Sequence, residues 1–363
     1  MHLTNGLAVK IERYKKFYNG FEPGKLLLKT VFPMEGEKEL DFAVQSLSFT
    51  SVNLFSWEET KTYFNRVIDW LAGYSAYRSD IDDDWIPELF VHLGTGVCGA
   101  CFDDTNVQFS PDTSWVSPSL PDWSEMSRLD PDKNTFWAKR LQDITEYIQE
   151  QNRDRFAVLP NIHFTPLDAA NVLRGNLIFT DFFDEPGKVE QLLDYCTQVT
   201  LRMQRKMISI TGDVDGGQVI WNMWMPGKSA IGLQEDICNL CSPEIYGQYS
   251  RPYTQRLISE CGGGFIHTHM LGKHQFSLIS SIRGLAMMNI ANDPNCPRAL
   301  EVLDGILDPP NKNVPLNILC TPGEIKPNLA NLRKIHAVLW VQCKNKDEAA
   351  RSLKLVREIS LIK

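Results

Sequence analysis

The sequence predicts an α/β fold that is built around a parallel β-sheet. From about residue 215 onward, short apolar runs alternate with amphipathic stretches that carry helix start and stop signals. The connections between these segments are short, so each helix has to return the chain over the sheet before the next strand begins, which requires parallel pairing. The 363 residues, 43% of them hydrophobic, suffice for one large barrel or for two ordinary domains. Periodicity alone leaves both an open sheet and a closed barrel possible.

The first 150 residues show less regular patterns than the rest. The segments KLLLKTVF (25–32) and ELFVHLG (88–94) are predicted strands, whereas residues 103–133 are rich in Pro, Ser and Asp and form a predicted long loop excursion. No segment shows a second hydrophobic core, so we expect a single domain over residues 1–363. The elements that follow are a helix near 136–151, the strand FAVLPNIHF (156–164), and helices near 166–174 and 186–206.

The second half begins with VIWNMWM (219–225) and AIGLQED (230–236), which we interpret as strands. Ser242 and Pro243 provide an N-cap and a proline at the first helical position, and they predict a helix that ends at the glycines 262–264. The remaining elements are the strands GFIHTHM (264–270), LAMMNIA (285–291), VPLNILC (314–320) and AVLWVQC (337–343), with helices near 274–282, 297–306, 323–334 and 346–359.

Composition excludes several classes of partner. The net charge is −8 and no basic cluster is longer than Lys15-Lys16, so a nucleic-acid partner is not expected. No apolar stretch is long enough for a bilayer, and the first residues lack the apolar core of a signal peptide, so we expect no membrane partner and a cytoplasmic location. The nine scattered cysteines indicate reduced thiols. Two pairs have metal-knuckle spacing, and we expect them to be buried and inert: Cys98 with Cys101, and Cys238 with Cys241.

The stretch GGGFIHTHMLGKH (262–274) contains three of the seven histidines. If GFIHTHM is a strand, His267 and His269 lie on one face, near the strand end at which parallel α/β folds bind their ligands. Two imidazoles at this spacing can bind one metal ion such as zinc. The alternative is that one histidine bonds to the backbone while the other contacts an organic substrate. His274 is expected at the surface or at a helix cap.

The run from Leu233 to Asn295 resembles the C-terminal half of the uroporphyrinogen decarboxylase superfamily. The shared features are an acidic strand end, the segment SPEIY, a helix, a strand that ends in a histidine motif, and a GL strand. Weaker similarity lies in residues 88–102 and 165–175. The resemblance implies a single (β/α)₈ barrel with its site at the C-terminal mouth, a homodimer, and one of two chemistries. One chemistry is decarboxylation of porphyrinogen acetates, and the other is zinc-dependent methyl transfer between a corrinoid protein and a thiol.

The decarboxylase branch of this superfamily carries an arginine-rich segment, RQAGRYLPEYR, that this chain lacks. Arg13 is the only arginine before Arg66, and a substrate with eight carboxylates needs a cationic clamp. The sequence therefore favours the methyltransferase branch, acting on a small-molecule substrate. Porphyrinogen decarboxylation and a non-catalytic binding barrel remain as alternatives.

The methyltransferase resemblance implies a metal-ligand set. The family motif is H-x-C with a distant cysteine on the last strand, and here His267, His269 and Cys343 occupy these positions. Such a zinc site would hold a substrate thiol as its thiolate, and the cobalamin would arrive on a partner corrinoid protein. A site with two histidines and one cysteine is less electron-rich than the family set.

Further candidate residues lie at the ends of predicted strands. Glu235 and Asp236 adjoin at the end of AIGLQED, where one of them can orient a ligating histidine or act as a ligand or base, although Asp236 could instead cap a helix. The remaining candidates are polar or aromatic side chains that could contact substrate or only satisfy turns: Asn161, His163, Trp221, Asn289 and Asp293.

Overall fold

The computed structural model describes residues 5–36, 52–110, 113–153, 155–159, 161–302 and 314–362. Its strands are β1 (Leu26–Val31), β2 (Glu88–Phe90), β3 (Val107–Phe109), β4 (Ser114–Val116), β5 (Ala157–Leu159), β6 (His163–Phe164), β7 (Gly217–Ile220), β8 (Met223–Pro226), β9 (Ile231–Gln234), β10 (Gly264–His269), β11 (Leu285–Ala291), β12 (Leu316–Cys320) and β13 (Ala337–Gln342). Its helices are α1 (Asn5–Tyr18), α2 (Trp57–Tyr77), α3 (Thr95–Ala100), α4 (Phe136–Asn152), α5 (Pro166–Arg174), α6 (Ile178–Asp184), α7 (Pro186–Thr211), α8 (Pro243–Tyr249), α9 (Arg251–Cys261), α10 (Phe276–Ser280), α11 (Pro322–Ile325), α12 (Leu329–Leu332) and α13 (Lys346–Ile359).

A parallel sheet of seven strands forms the centre of this mixed α/β structure. Its order is β1-β13-β12-β11-β10-β9-β6, and β2 with β5 forms a separate parallel pair. The predicted α/β class with parallel strands is therefore confirmed. Because parallel strands end at the same edge of a sheet, the residues that follow β9, β10 and β11 are brought close together.

The two faces of the sheet are covered by different elements. Residues such as Ile266 and Leu339 pack with the surrounding helices in the larger hydrophobic core. Phe265 and Val338 point the other way, into a second core with α1 and the β7–β8 hairpin. We call these the helix-side face and the hairpin-side face. Side chains alternate between them along each strand, so the parity of a position decides which layer its side chain enters.

Several helices begin and end where the sequence signals predict them. Thr165 caps α5, whose first residue is Pro166, and α13 covers the predicted range 346–359. The helix predicted from Ser242 to the glycines is two helices, because α8 ends at Tyr249 and α9 begins at Arg251. The proline that follows Arg251 has no N–H to continue the first helix, but it is compatible with the first turn of a second one.

The segment VIWNMWM is a hairpin rather than the single predicted strand. Trp221 and Asn222 have φ angles of 52° and 61° and form the two-residue turn between β7 and β8. Two successive left-handed residues match the twist of a tight hairpin, and asparagine tolerates this conformation well. The turn contains no glycine, so the sequence lacks the usual signal for a two-residue hairpin turn.

Other elements differ from the prediction in extent. The segment FAVLPNIHF is split into β5 and β6, and the excursion at 103–133 contains the β3–β4 hairpin and a 3₁₀ helix at Trp123–Arg128. The helices α1 and α2 were not predicted, although Ser56 and the acidic first turn of α2 are start signals. Of the helix expected near 297–306, the described part forms a 3₁₀ helix at Ala299–Val302, and 303–306 lie outside the described residues.

The described helices and cysteines bear on two expectations from the composition. None of the helices described here combines the length and the apolar character that a bilayer crossing requires. The four cysteines with metal-knuckle spacing are all buried free thiols, as expected: Cys98, Cys101, Cys238 and Cys241. They pack as small apolar side chains.

Candidate metal centre

Three neighbouring strands bring the candidate residues together at the C-terminal edge of the sheet. His267 and His269 are the last hairpin-side residues of β10, and Asp236 follows the end of β9. His267 lies opposite Asn289 of β11, and Asp293 follows that strand. The strand register thus places all five side chains in one small region.

Three side chains of this region face one another closely enough to share a metal ion. The Nε2 atoms of His267 and His269 are 3.2 Å apart, and His269 Nε2 is 3.4 Å from Asp236 Oδ1. Each of the three offers one ligand atom, and all three atoms lie within 4.8 Å of one another. Among the described residues no other group of histidine, cysteine and carboxylate side chains meets this condition.

A ladder of amides fixes the tautomer of His267. Asn289 Nδ2 donates to Asn317 Oδ1 at 2.7 Å, and Asn317 Nδ2 donates to the carbonyl of Val338 at 3.0 Å. The amide oxygen of Asn289 is therefore left to accept from His267 Nδ1, at 2.6 Å. A histidine that donates from Nδ1 carries its lone pair on Nε2, which is the atom that faces His269.

Asp293 orients His269 in the same way. Its Oδ1 lies 2.8 Å from His269 Nδ1, and its Oδ2 accepts the backbone N–H of Leu271 at 2.9 Å. Both histidines thus direct Nδ1 at an oxygen acceptor and Nε2 at the shared centre. Two facing lone pairs repel each other unless a positive charge lies between them. Either a proton on His269 or a divalent cation between the two Nε2 atoms removes this repulsion.

The electrostatics of the two histidines differ because their surroundings differ. Burial lowers the pKa of His267 below its usual value. The carboxylate of Asp236, followed by that of Asp293, raises the pKa of His269 to about 9. Asp236 Oδ1 is a buried oxygen whose contact with His269 Nε2, at 3.4 Å, is an ion pair with poor hydrogen-bond geometry. The centre therefore has a net attraction for positive charge.

Asp168 holds the segment that carries Asp236, and sequence reasoning missed it. Its Oδ1 accepts the backbone N–H groups of Asp236 and Ile237 at 3.1 and 2.9 Å. Burial raises the pKa of Asp168 to about 7. In the sequence, Asp168 is only an acidic residue in the first turn of α5 after the Thr165 cap. Its contact with the segment that follows β9 depends on the fold and could not be predicted from this pattern.

Trp221 lies beside the centre at the tip of the β7–β8 hairpin. Its ring centroid is 5.0 Å from that of His267 and 5.2 Å from that of Phe265. Trp224, in contrast, packs in the hairpin-side core and donates Nε1 to the carbonyl of Val214. Of the two tryptophans in this segment, only Trp221 adjoins the histidines.

Cys343 does not join the histidines, and its expected role as a metal ligand is corrected here. It follows Val341 and Leu339 on the helix-side face of β13, where it is buried in the larger core near Ser352 of α13. The neighbouring Gln342 and Trp340 have the opposite parity. A shift of one position moves a strand side chain to the other face of the sheet, so the sulfur points away from the centre.

Glu235 is also separated from the centre, unlike its neighbour Asp236. It is completely buried, and its carboxyl oxygens contact the hydroxyls of Thr165, Tyr246 and Ser250 at 3.1 to 3.2 Å. Burial raises its pKa well above the usual value. We expected a catalytic role for one of the two acidic residues, and the geometry assigns Glu235 to anchoring helices against the sheet.

Asn161 and His163 are not brought to the centre either. Asn161 Oδ1 accepts from the thiol of Cys98 on α3. His163 is buried against α7, where its Nε2 lies 3.1 Å from Gln204 Oε1. Gln204 Nε2 donates to the carbonyls of Ser229 and Ala230, so its oxygen is left to accept from the histidine. Both side chains form hydrogen bonds with other parts of the protein.

The buried His163 predicts a loss of stability in acid. Burial lowers its pKa to about 4 in the folded protein, whereas an unfolded histidine titrates near 6.5. The stabilising contribution is complete above pH 6.5 and is lost as the pH falls from there toward 4. Between pH 7 and pH 5, protonation of this histidine in the unfolded state should lower the free energy of unfolding by about 2 kcal/mol.

Denaturant unfolding of the wild type and of His163→Asn at pH 7 and pH 5 measures this effect. Asparagine can still donate to Gln204 but does not titrate, so the difference in unfolding free energy between the two pH values should shrink. Equal pH dependence in the two proteins would exclude a role for His163.

Comparison with known proteins adds no identification. No protein-family model matches the chain, and no curated protein matches it at a significant level. The expected superfamily membership therefore rests on the motifs in the sequence.

Proposed function

We propose that the chain is a metal-dependent enzyme whose metal is held by Asp236, His267 and His269. One observation carries this proposal, namely the convergence of the two Nε2 atoms while both Nδ1 atoms are paired with oxygen acceptors. Histidines that ligate metals in proteins have this arrangement of outer hydrogen bonds. Asp236 Oδ1, which lies 3.4 Å from His269 Nε2, supplies the third ligand atom.

The donor set fits zinc and related divalent transition metals. Two imidazoles and one carboxylate leave at least one coordination position for a substrate or water, as in catalytic rather than structural zinc sites. His269 and Asp236 have side chains that are 30% and 42% exposed, so a ligand can reach the centre from solvent. A bound divalent ion would supply Lewis acidity, which lowers the pKa of a coordinated thiol.

We further propose that the strands close into a (β/α)₈ barrel. Pairing of β2 with β5 and of β6 with β9 supports one strand position that β5 and β6 share. To close the barrel, β1 at the end of the sheet must also meet the segment that leads into β2. There Leu28 N donates to Asp84 Oδ2 at 2.9 Å, and Asp84 N donates to Leu28 O at 2.8 Å. Thr30 N donates to Asp83 Oδ2 at 2.7 Å.

The proposed reaction is methyl transfer to a small thiol from a corrinoid carried by a partner protein. The thiolate sulfur would form a bond to the methyl carbon, the carbon–cobalt(III) bond would break, and its electron pair would stay on cobalt as cob(I). The superfamily resemblance suggests this class, and the partial exposure of His269 and Asp236 supports it. The residues of the chain have defined tasks in such a reaction. Asp236, His267 and His269 hold the metal, while Asp293 and Asn289 keep the histidine rings in place. Porphyrinogen decarboxylation is less well supported, because Asp236 and Asp293 give the region two carboxylates where a substrate with many carboxylates needs cations.

Metal analysis with a matched cysteine variant tests this proposal. Protein purified without chelators is expected to contain about one divalent metal ion per chain. Cys343→Ser should retain this metal, since the thiol lies on the opposite face of the sheet. The metal-loaded protein should also transfer the methyl group of free methylcobalamin to 2-mercaptoethanol, which is followed by the loss of methylcobalamin absorbance. Absence of metal from the wild type after reconstitution would contradict the metal centre, and metal binding without transfer would contradict only the reaction class.

A further inference from the structure

An aromatic wall adjoins the candidate metal centre on the hairpin-side face. Trp221, Trp340 and Phe90 are all half-buried, although the neighbouring side chains of this face are buried in the second core. The ring centroids of Trp221 and Trp340 are 5.9 Å apart, and Trp221 also contacts His267. Rings that point to the inside of a covered sheet and still reach solvent border a cleft.

Phe90 belongs to the same wall by its position on β2. Glu88 lies two residues earlier on the same face and accepts the backbone N–H of Asn222 at 2.8 Å. Phe90 is therefore one layer closer to the C-terminal edge of the sheet than Glu88, and its ring stacks on His92 with centroids 5.2 Å apart. Trp221 and Trp340 thus form the part of this wall that lies beside His267.

Buried polar contacts fix the backbone of the hairpin tip that carries Trp221. Lys29 is completely buried, donates from Nζ to the carbonyl of Trp221 at 2.6 Å, and lies 4.0 Å from the centroid of the Trp340 ring. Asn222 Nδ2 donates to the carbonyl of Ile86, and Ile86 N donates back to Asn222 O. The tip of the hairpin is held on both sides, so the wall is in place before a ligand arrives.

We propose that this wall receives the flat unsaturated ring of a substrate whose anionic oxygen or sulfur atom binds the metal. The inference rests on the proposed metal centre, but not on methyl transfer. A rigid aromatic wall binds a planar ring most favourably. Rings in offset-stacked or edge-to-face geometry contribute binding energy in addition to that from burial of apolar surface. A dication attracts an anionic donor atom more strongly than a neutral one. The substrate class is therefore an aromatic compound with an oxygen or sulfur anion near the ring.

Two matched probes separate the wall from the metal. Acetohydroxamate and benzohydroxamate bind metals through the same oxygen atoms and differ only in a methyl group and a phenyl ring. We expect the Zn²⁺-loaded protein to bind benzohydroxamate about tenfold or more tightly than acetohydroxamate, as measured by calorimetry. In Trp221→Leu and in Trp340→Leu the ratio of the two affinities should fall toward one. Trp115→Leu serves as the control, because Trp115 is 45% exposed in β4 and should leave the ratio unchanged.

The outcomes distinguish the two levels of the proposal. Equal affinities for the two probes in the wild type would overturn the aromatic wall and leave the metal centre intact. An unchanged ratio in both tryptophan variants would overturn it as well. Failure of both probes to bind, together with failure to load Zn²⁺, would overturn the metal centre and the wall with it. Saturation transfer from the indole protons to the phenyl protons of benzohydroxamate in the wild type provides a readout that does not depend on variant folding, and its absence would contradict the wall.

Discussion

Replacement of His267 by alanine is expected to lower the affinity for Zn²⁺ by more than about 100-fold. Loss of an outer hydrogen bond alone costs metal sites 10- to 100-fold, and loss of a ligand removes a bond to the metal itself. His267 is also the ligand whose orientation is most strongly determined, because the amide ladder through Asn289 and Asn317 fixes its tautomer. Competition with a chromophoric chelator measures the affinity at neutral pH.

His274→Ala provides the matched control for this variant. His274 is an exposed histidine five residues beyond His269, and its Nε2 contacts the carbonyl of Cys241 instead of the centre. Its removal should leave the Zn²⁺ affinity unchanged. If the two alanine variants bound Zn²⁺ equally well while both retained the circular dichroism spectrum of the wild type, His267 would not be a ligand.

The second large effect is expected from Asn289→Leu, which keeps a similar volume but removes the acceptor for His267 Nδ1. We expect the Zn²⁺ affinity to fall by about 10- to 100-fold, the usual cost of removing an outer partner of a metal-bound histidine. The ring then loses the group that selects its tautomer, and Asn317 Oδ1 loses its donor. The same chelator competition measures the change.

Asn289→Asp separates the hydrogen bond from packing. Aspartate keeps an oxygen acceptor for Nδ1 and should restore most of the affinity that leucine removes. Equal weakening by leucine and aspartate would mean that the volume and hydrogen bonds of the core matter at this position rather than the orientation of His267.

The sequence predicted where the two histidines lie because their position depends only on local spacing along one strand. The two histidines lie on one face because side chains alternate along any strand, and they lie near the ligand-binding edge because they end that strand. Asn289 and Asp293 were recognised as polar residues at the next strand end. Their specific roles as acceptors for the two Nδ1 atoms depend on the register between β10 and β11, which the sequence does not encode locally.

The error at Cys343 has a different origin. The sequence shows correctly that Leu339, Val341 and Cys343 share a face, but both faces of β13 are covered, so apolar residues occur at odd and even positions alike. Alternation therefore could not tell which face meets the histidines. Trp340 was overlooked for the same reason, and Lys29 because a lone lysine in an apolar run gives no sign of a buried partner.

The hairpin at Trp221 was hidden by its composition. VIWNMWM is rich in apolar and aromatic residues without glycine or proline, which is typical of one continuous strand. Its turn depends on a left-handed tryptophan and asparagine that Lys29, Ile86 and Glu88 hold from distant parts of the chain. Tertiary contacts of this kind override local propensity.

X-ray absorption spectroscopy at the metal edge of the Zn²⁺-loaded protein, without added thiol, tests the central claim most directly. The proposed centre predicts nitrogen and oxygen neighbours at about 2.0 to 2.2 Å, with the outer-shell scattering of two imidazoles and no sulfur neighbour. A sulfur shell at about 2.3 Å in the wild type would show that a cysteine binds the metal and would contradict the set of Asp236, His267 and His269. A spectrum without imidazole scattering would contradict it equally.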